Sequence, residues 1–257
     1  MSGEGRWAGR NTGKDAVRSE VWRLLEESGT AIEPIWSVIP NFVGADVAAW
    51  RLAHTDEWKR AKTIKTNPDA PQIPIRLRAL YEGKTVYTPA PYLTKDFPYL
   101  RLDPRHLIEN EISFELAATS QGFLEYGEAI GFEDVEPLDF CVVGSVAVSR
   151  MGGRTGKGAG FADLETAIFR ELGTISASTP IATTIHSSQL VDSSRVVIES
   201  HDSPLDMIAT ELELIRTSSN AERPKGVDWD RVRPDQYASI PFLGALRQRL
   251  EARRAER

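Results

Sequence analysis

Stretches with apolar residues three and four apart alternate along the chain with short, nearly continuous apolar runs. The first pattern marks amphipathic helices, the second buried strands. From Lys14, the residues Val17, Val21, Leu24 and Leu25 share one helical stripe, which Gly29 ends. The pattern predicts a second helix over "ADVAAWRLAHTDEWKRA" and a short strand in "KTIKTN". A rigid proline-rich loop, "NPDAPQIP", follows, then a helix in "IRLRALYEG" and an extended "KTVYTPAP". After an irregular "YLTKDFPYLRLDP" comes a helix around 105–119. The run "LDFCVVGSVAVS" has the length and continuity of a central strand covered on both faces. "FADLETAIFREL" puts Phe161, Leu164, Ile168 and Leu172 on one helical stripe. "IATTIHSSQL", "RVVIES" and "LDMIATEL" read as further strands.

Alternating strands and helices predict a three-layer αβα sandwich with a mainly parallel central sheet. There is no internal repeat. Residues 1–13 are Gly-rich and polar, and are expected to form a disordered arm. Residues 14–215 would make the α/β domain. The segment 216–257 would be a linker, "RTSSNAERPKG", and a basic helix, "IPFLGALRQRLEARRAER", packed on the domain or extending from it.

Composition narrows the function classes. At 257 residues the chain can bury a substantial core, and 41% hydrophobic with 26% charged residues is ordinary for a globular protein. A net charge of −6 argues against nucleic-acid binding by bulk charge. The charge is uneven: from Arg216 onward there are ten basic and six acidic residues. No apolar stretch reaches membrane-span length, and the N-terminus lacks a signal peptide's apolar core. A cytoplasmic enzyme or binding protein is expected, with no membrane or nucleic-acid partner, as monomer or homodimer. The single cysteine, Cys141, sits in the apolar "FCVVG" and reads as a core residue. His54, His106, His186 and His201 lack metal-ligand spacing, so zinc is not expected.

The candidate chemistry lies in "GSVAVSRMGGRTGKGAGFADLE", residues 144–165. It matches neither a Walker A loop nor a G-x-G-x-x-G fingerprint, because Gly156, Gly158 and Gly160 give G-x-G-x-G. A strand, a glycine-rich turn and a helix N-terminus still suit an anion. Backbone N–H groups can approach phosphate oxygens, and the helix dipole adds partial positive charge. Arg154 and Lys157 would add charge-assisted hydrogen bonds. Asp163 at the helix start could hold Mg²⁺ or simply favour the helix terminus. A glycine-rich surface turn is the alternative that these residues leave open. Lys14 and Arg18 stand four apart on one helix face and, by themselves, read as solvated charges.

The segment "GGRTGKGAGFADLE" resembles the signature of the 5-formyltetrahydrofolate cyclo-ligase family, G-x-R-x-G-x-G-x-G-[YF]-x-D. "KDAVRSEVW", "LYEGKTVYTP" and "ESHDSPLDMIATE" resemble other pieces of that family, in its order. "IPNFVGA", "NPDAPQIPIR" and "RPKGVDW" are similar to a divergent branch of it, with the likeness running from about residue 14 to 248. The resemblance implies that family's αβα fold. It also implies an ATP- and Mg²⁺-dependent ligase that phosphorylates an N-formyl oxygen, so that a neighbouring amine closes a ring and phosphate leaves. ATP would then be held by Lys14, Arg18, Arg154, Gly156, Lys157, Gly158 and Gly160, with Arg154 and Lys157 catalytic and Asp163 on the metal. The substrate would be a formyl-folate or another formamide, touched by Phe161 and by Phe42 in the "IPNFVG" turn. Folate-acting members carry paired tyrosines where this chain has Phe161 and Ala162. Proteins of the divergent branch have been linked to thiamine metabolism.

Four tryptophans, Trp22, Trp36, Trp50 and Trp58, could stack a flat heterocycle, although packing explains most of them. His186 reads as a strand histidine, and His201 with Asp202 as a possible hydrogen-bonded pair.

Overall fold

The computed structural model describes residues 9, 11–32, 35–91, 98–196, 198–219 and 221–255. Eleven strands are found among these: β1 (Thr63–Lys65), β2 (Thr85–Pro89), β3 (Tyr99–Leu102), β4 (Glu128–Ile130), β5 (Phe140–Val142), β6 (Ala147–Ser149), β7 (Arg154–Thr155), β8 (Ile181–Thr184), β9 (Leu190–Val191), β10 (Met207–Ala209) and β11 (Leu214–Arg216). Eight of them form one sheet in the order β11-β10-β8-β5-β1-β2-β3-β4. The central pairings, from β10 through β8, β5 and β1 to β2, are parallel. Antiparallel partners close both edges. β3 and the edge strand β4 come from sequence without clear alternation, so the hydrophobic pattern does not mark them.

Helices cover the two faces, as the period-two alternation of each strand requires. Phe140 and Val142 point to one side, against α2 (Ala45–Ala53) and α4 (Ile73–Tyr81), with Ile64, Ala182 and Met207 beside them. Cys141 and Val143 point to the other, against α8 (Phe161–Leu172), with Ile181 and Ile208. The C-terminal helix α10 (Leu243–Ala255) joins this second layer through the buried Leu243, Leu246 and Leu250. Each fully buried leucine contributes about 1.5–3 kcal/mol relative to exposure, so this helix is part of the packed body. Helix α1 (Thr12–Glu27) packs on a third apolar cluster with Ile35, Ile39 and Val146.

Three local departures from the hydrophobic pattern have plain causes. The second expected helix breaks at Thr55, whose Oγ1 accepts from Trp58 N and caps a separate α3 (Asp56–Arg60). The helix expected near 105–119 divides into α5 (Pro104–Glu109) and α6 (Phe114–Ala117). Glu111 takes a positive φ of 57° between them, and Ser113 caps the second. The run "LDFCVVGSVAVS" is two strands, not one. Gly144 N donates to Asn67 Oδ1, and the chain then leaves the large sheet. Its second half, β6, forms a small sheet in the order β7-β6-β9. Of the stretch "RVVIES", Arg195 ends a 3-10 turn, Ser193–Arg195, and Val197 lies outside the described residues. Of the expected N-terminal arm, residues 1–8 and 10 lie outside the described residues, and α1 already begins at Thr12.

Candidate functional site

Parallel α/β sheets offer ligands a crevice beyond the carboxyl ends of their strands. Here Asn67–Asp69 follow β1, Pro89 and Ala90 end β2, and Gly144 follows β5. All of these line one cavity of about 420 Å³. Its opposite wall is the glycine-rich segment and the first turns of α8. Buried Arg76 fixes the β1 side, donating to the Asn67 and Ala118 carbonyls at 2.6 and 2.7 Å. Burial pushes its pKa down to about 9, with Asp69 opposing that shift.

The first part of the glycine-rich segment carries two short strands. β6 and β7 form an antiparallel hairpin that places Arg154 opposite Val148, so the sheet positions Arg154 before any ligand arrives. Gly158 and Gly160 then take φ values of 105° and 74°, where an L side chain is strained. Gly160 caps α8 without a side chain, and the first turn of α8, Phe161 to Leu164, lines the cavity.

Cations and carboxylates hold one another around this cavity. Arg154 Nη1 donates to Gly144 O at 3.1 Å and Nη2 to Asp163 Oδ2 at 2.7 Å. Lys157 Nζ meets Asp69 Oδ1 at 3.0 Å, across from the β1 loop. Lys14 Nζ meets Asp202 Oδ2 at 2.9 Å and Glu199 at 3.4 Å. Arg18 bonds Asp15 and reaches Gly156 O at 3.4 Å. An entering polyanion would find four cations oriented on one space, each of which it can take over from its carboxylate. Lys14 and Arg18 thus line this cavity, and Arg18 is only 4% exposed.

Asp163 is engaged at both oxygens, by Arg154 and by Ser203 N. Among the described residues there is no group of three His, Cys, Asp or Glu that could hold a metal. A metal caged by protein alone does not fit here. An ion carried in on a nucleotide's phosphates does, since Mg²⁺ keeps its waters and commonly needs only one or two carboxylates.

Beneath the loop lies a buried ion pair. Alternation along β1 turns Lys65 toward α8, where its Nζ stands 2.7 Å from Glu165 Oε2, both side chains being 2% exposed. The two atoms are not aligned for a hydrogen bond, and neither has another such partner. Tyr99 faces the same carboxylate; burial and then the Glu165 charge push its pKa well above the usual value. Glu165, Phe161 and Ala162 line the cavity together.

The profile of the 5-formyltetrahydrofolate cyclo-ligase family matches residues 10–211, most of the chain. The chain belongs to that family. A Bos taurus methenyltetrahydrofolate synthase domain-containing protein is 36% identical over 240 residues, covering 93% of this chain and 63% of the relative. The Mus musculus protein of that name is 37% identical over 238 residues, at 92% and 63% coverage. The chain thus spans slightly under two thirds of the length of these curated relatives. The NMR structure of Aquifex aeolicus 5,10-methenyltetrahydrofolate synthetase aligns with 81% of this chain and 95% of its own, at a TM-score of 0.51 and 19% identity. That likeness concerns the cyclo-ligase fold.

Most residues singled out from the cyclo-ligase signature come together. Lys14, Arg18, Arg154, Gly156, Lys157, Gly158, Gly160, Phe161 and Asp163 all line the cavity. Phe42 does not. It is fully buried in the core beside α2, its ring 6.1 Å from the His186 ring, because its turn is pinned by a bridge to Ala31. None of the four tryptophans reaches the cavity; Trp22 and Trp58 are core residues. His186 follows β8 and caps a 3-10 turn. His201 lines the cavity, its Nδ1 accepting from Arg231 at 2.9 Å. Sequence reasoning missed Asp69, Arg76, Glu165 and the Lys65 partner. Asp69 and Arg76 sit inside the quoted "NPDAPQIPIR", and that motif was the available signal.

Proposed function

We propose that this chain is an ATP-dependent cyclo-ligase. It would phosphorylate the oxygen of an N-formyl group so that a neighbouring amine attacks the formyl carbon. Phosphate leaves and a ring closes; with 5-formyltetrahydrofolate the products are 5,10-methenyltetrahydrofolate, ADP and phosphate. One observation carries the reading: Lys14, Arg18, Arg154 and Lys157 converge with the N-terminus of α8 on one cavity at the carboxyl ends of the parallel strands. Phosphoryl transfer needs positioning and charge neutralisation, and this arrangement supplies both. Arg154 and Lys157 would meet the transferred phosphoryl group, and the glycine backbone and Lys14 the rest of the triphosphate. Mg²⁺ would arrive on the nucleotide with Asp163 as one ligand and add positive charge there. The names of the Bos taurus and Mus musculus relatives support the folate reading.

A second reading keeps the scaffold and changes the substrate to a non-folate formamide or amide, such as a thiamine-related one. Phe161 and Ala162, which offer no hydroxyl, and the carboxylate of Glu165 beside them favour it. The deciding experiment follows ADP release and methenyl absorbance with ATP and 5-formyltetrahydrofolate. Substrate-dependent ADP with methenyl product supports the first reading. ADP release only with other formamides supports the second. Nucleotide binding with no substrate-dependent ADP release would leave a non-catalytic nucleotide-binding protein.

A further inference from the structure

The family match ends at residue 211, yet the cavity does not. Pro224, Gly226, Val227, Arg231, Arg233 and Gln236, all beyond it, line the same space. This segment is fastened at several points. Arg223 ion-pairs with Asp206 and donates to the carbonyls of Ala177 and Thr179. Val227 N donates to Glu171 at 3.1 Å, and Val227 and Trp229 are buried in the core cluster that also holds Leu243, Leu246 and Leu250. So anchored, the segment crosses the glycine loop and delivers one guanidinium to its end. Arg233 Nη2 donates to Ala159 O at 2.8 Å, and Nε meets Asp235 at 3.1 Å. A Cβ on Gly160 would stand 3.6 Å from Arg233 Nη1 and 3.5 Å from Gln236 Nε2. Arg233 therefore flanks the N-terminus of α8. Arg154, 8% exposed, lines the same cavity, with Nη1 on Gly144 O and Nη2 on Asp163.

We infer that Arg233 is a further polyphosphate-binding residue, supplied by a C-terminal strap that completes the anion site over the glycine loop. The inference rests on the nucleotide reading above and adds to it the residue that closes the site. The strap places a delocalised, planar cation where the helix N-terminus already favours negative charge. Its contact to Ala159 O also holds the loop in its anion-ready shape.

The test uses the full chain with inorganic tripolyphosphate and with ATP as probes, by calorimetry. Arg233→Gln keeps a donor for Ala159 O and removes the charge, whereas Arg233→Lys keeps the charge. Tripolyphosphate affinity is expected to fall about 10- to 100-fold in Arg233→Gln and much less in Arg233→Lys. Equal, wild-type-like affinity in both variants would overturn the inference, since Arg233 would then only fasten the loop. Arg233 is 36% exposed, so phenylglyoxal modification of the wild-type chain gives a measurement independent of any variant. Saturating tripolyphosphate should shield Arg233, and undiminished modification would also overturn the inference. If the wild-type chain binds neither probe, the nucleotide reading itself falls, which is a separate result.

Discussion

Arg154 and Asp163 hold each other across the glycine loop, Nη2 to Oδ2 at 2.7 Å, with the arginine side chain 4% exposed and the aspartate 18%. The pair joins the β6–β7 hairpin to the first turn of α8, so one contact sets the shape of the proposed phosphate cradle. Asp163→Asn retains an acceptor of nearly the same shape but loses the charge. Its fold should survive, and the Mg²⁺ concentration for half-maximal nucleotide turnover should rise. Titration of turnover with Mg²⁺ checks this. An unchanged Mg²⁺ curve would confine Asp163 to orienting Arg154.

The Lys65–Glu165 pair poses the opposite case, a charge pair with almost no solvent. Removing one partner strands the other. Glu165→Gln should lower stability by about 3–5 kcal/mol, whereas replacing both residues together by Met and Leu should cost far less. Urea unfolding of the single and double variants measures the difference. Equal losses in both would show that Glu165 acts through packing instead of charge.

The parts of this molecule legible in sequence were those with strong periodicity or dense local chemistry. The α8 stripe of Phe161, Leu164, Ile168 and Leu172 was readable because hydrophobic period and glycine boundaries agreed. The central parallel strands were readable as short apolar runs. β3 and the edge strand β4 were not, because their order comes from β3 pairing with β2 and β4 with β3, contacts without a local signature. The break at Gly144 was hidden for the same reason: Asn67, distant in sequence, provides the acceptor that turns the chain. Lys14 and Arg18 read as solvated charges until the signature placed them, since an exposed helix face and one covered by a loop have the same pattern. Arg233 had no motif at all. Its role depends on where a linker crosses the loop, which only the fold decides.

Cys141 offers a check on the core. It is 3% exposed, and burial pushes its thiol pKa up to about 12, with Lys65 and Arg170 opposing. Only the thiolate is a nucleophile, so a thiol reagent at pH 8 should label the native chain negligibly and the urea-unfolded chain fully. Rapid labelling of the native chain would mean that this strand opens readily or is not central.

At the surface, Glu57 accepts from Arg216 at 2.7 and 3.0 Å, linking α3 to the edge strand β11. That hydrogen bond, helped by a backbone one, holds the Glu57 carboxyl down at about 2 from an ordinary 4.5. A depressed carboxylate stabilises the fold above its unfolded pKa and loses that contribution as pH falls through the folded one. Wild type should therefore lose a small advantage over Glu57→Gln between pH 5 and pH 2, small because the pair is largely solvated. Thermal melts of the two proteins at matched pH give the comparison. A constant difference across that range would remove Glu57 from the acid-sensitive set.

Lys157 carries the sharpest prediction. Its Nζ is held 3.0 Å from Asp69 Oδ1, so the β1 loop sets the position of the lysine before nucleotide binds. Backbone N–H groups at the α8 terminus, with Lys14 and Arg18 alongside, can already retain a nucleoside diphosphate without it. What they cannot do is follow charge onto the oxygens of a phosphoryl group in transit, which a preorganised lysine can. Lys157→Ala should therefore lower kcat by about 10²-fold or more while ADP affinity changes far less. Asp69→Asn should show a milder loss of kcat, because the lysine keeps its charge and loses its guide. Steady-state kinetics at saturating substrate, paired with ADP calorimetry, separate the two effects. A fall in ADP affinity equal to the fall in kcat/KM, with kcat intact, would make Lys157 a ground-state anchor. Wild-type values in both measurements would mean that the loop handles no transferring phosphate, and the ligase reading would fall with it.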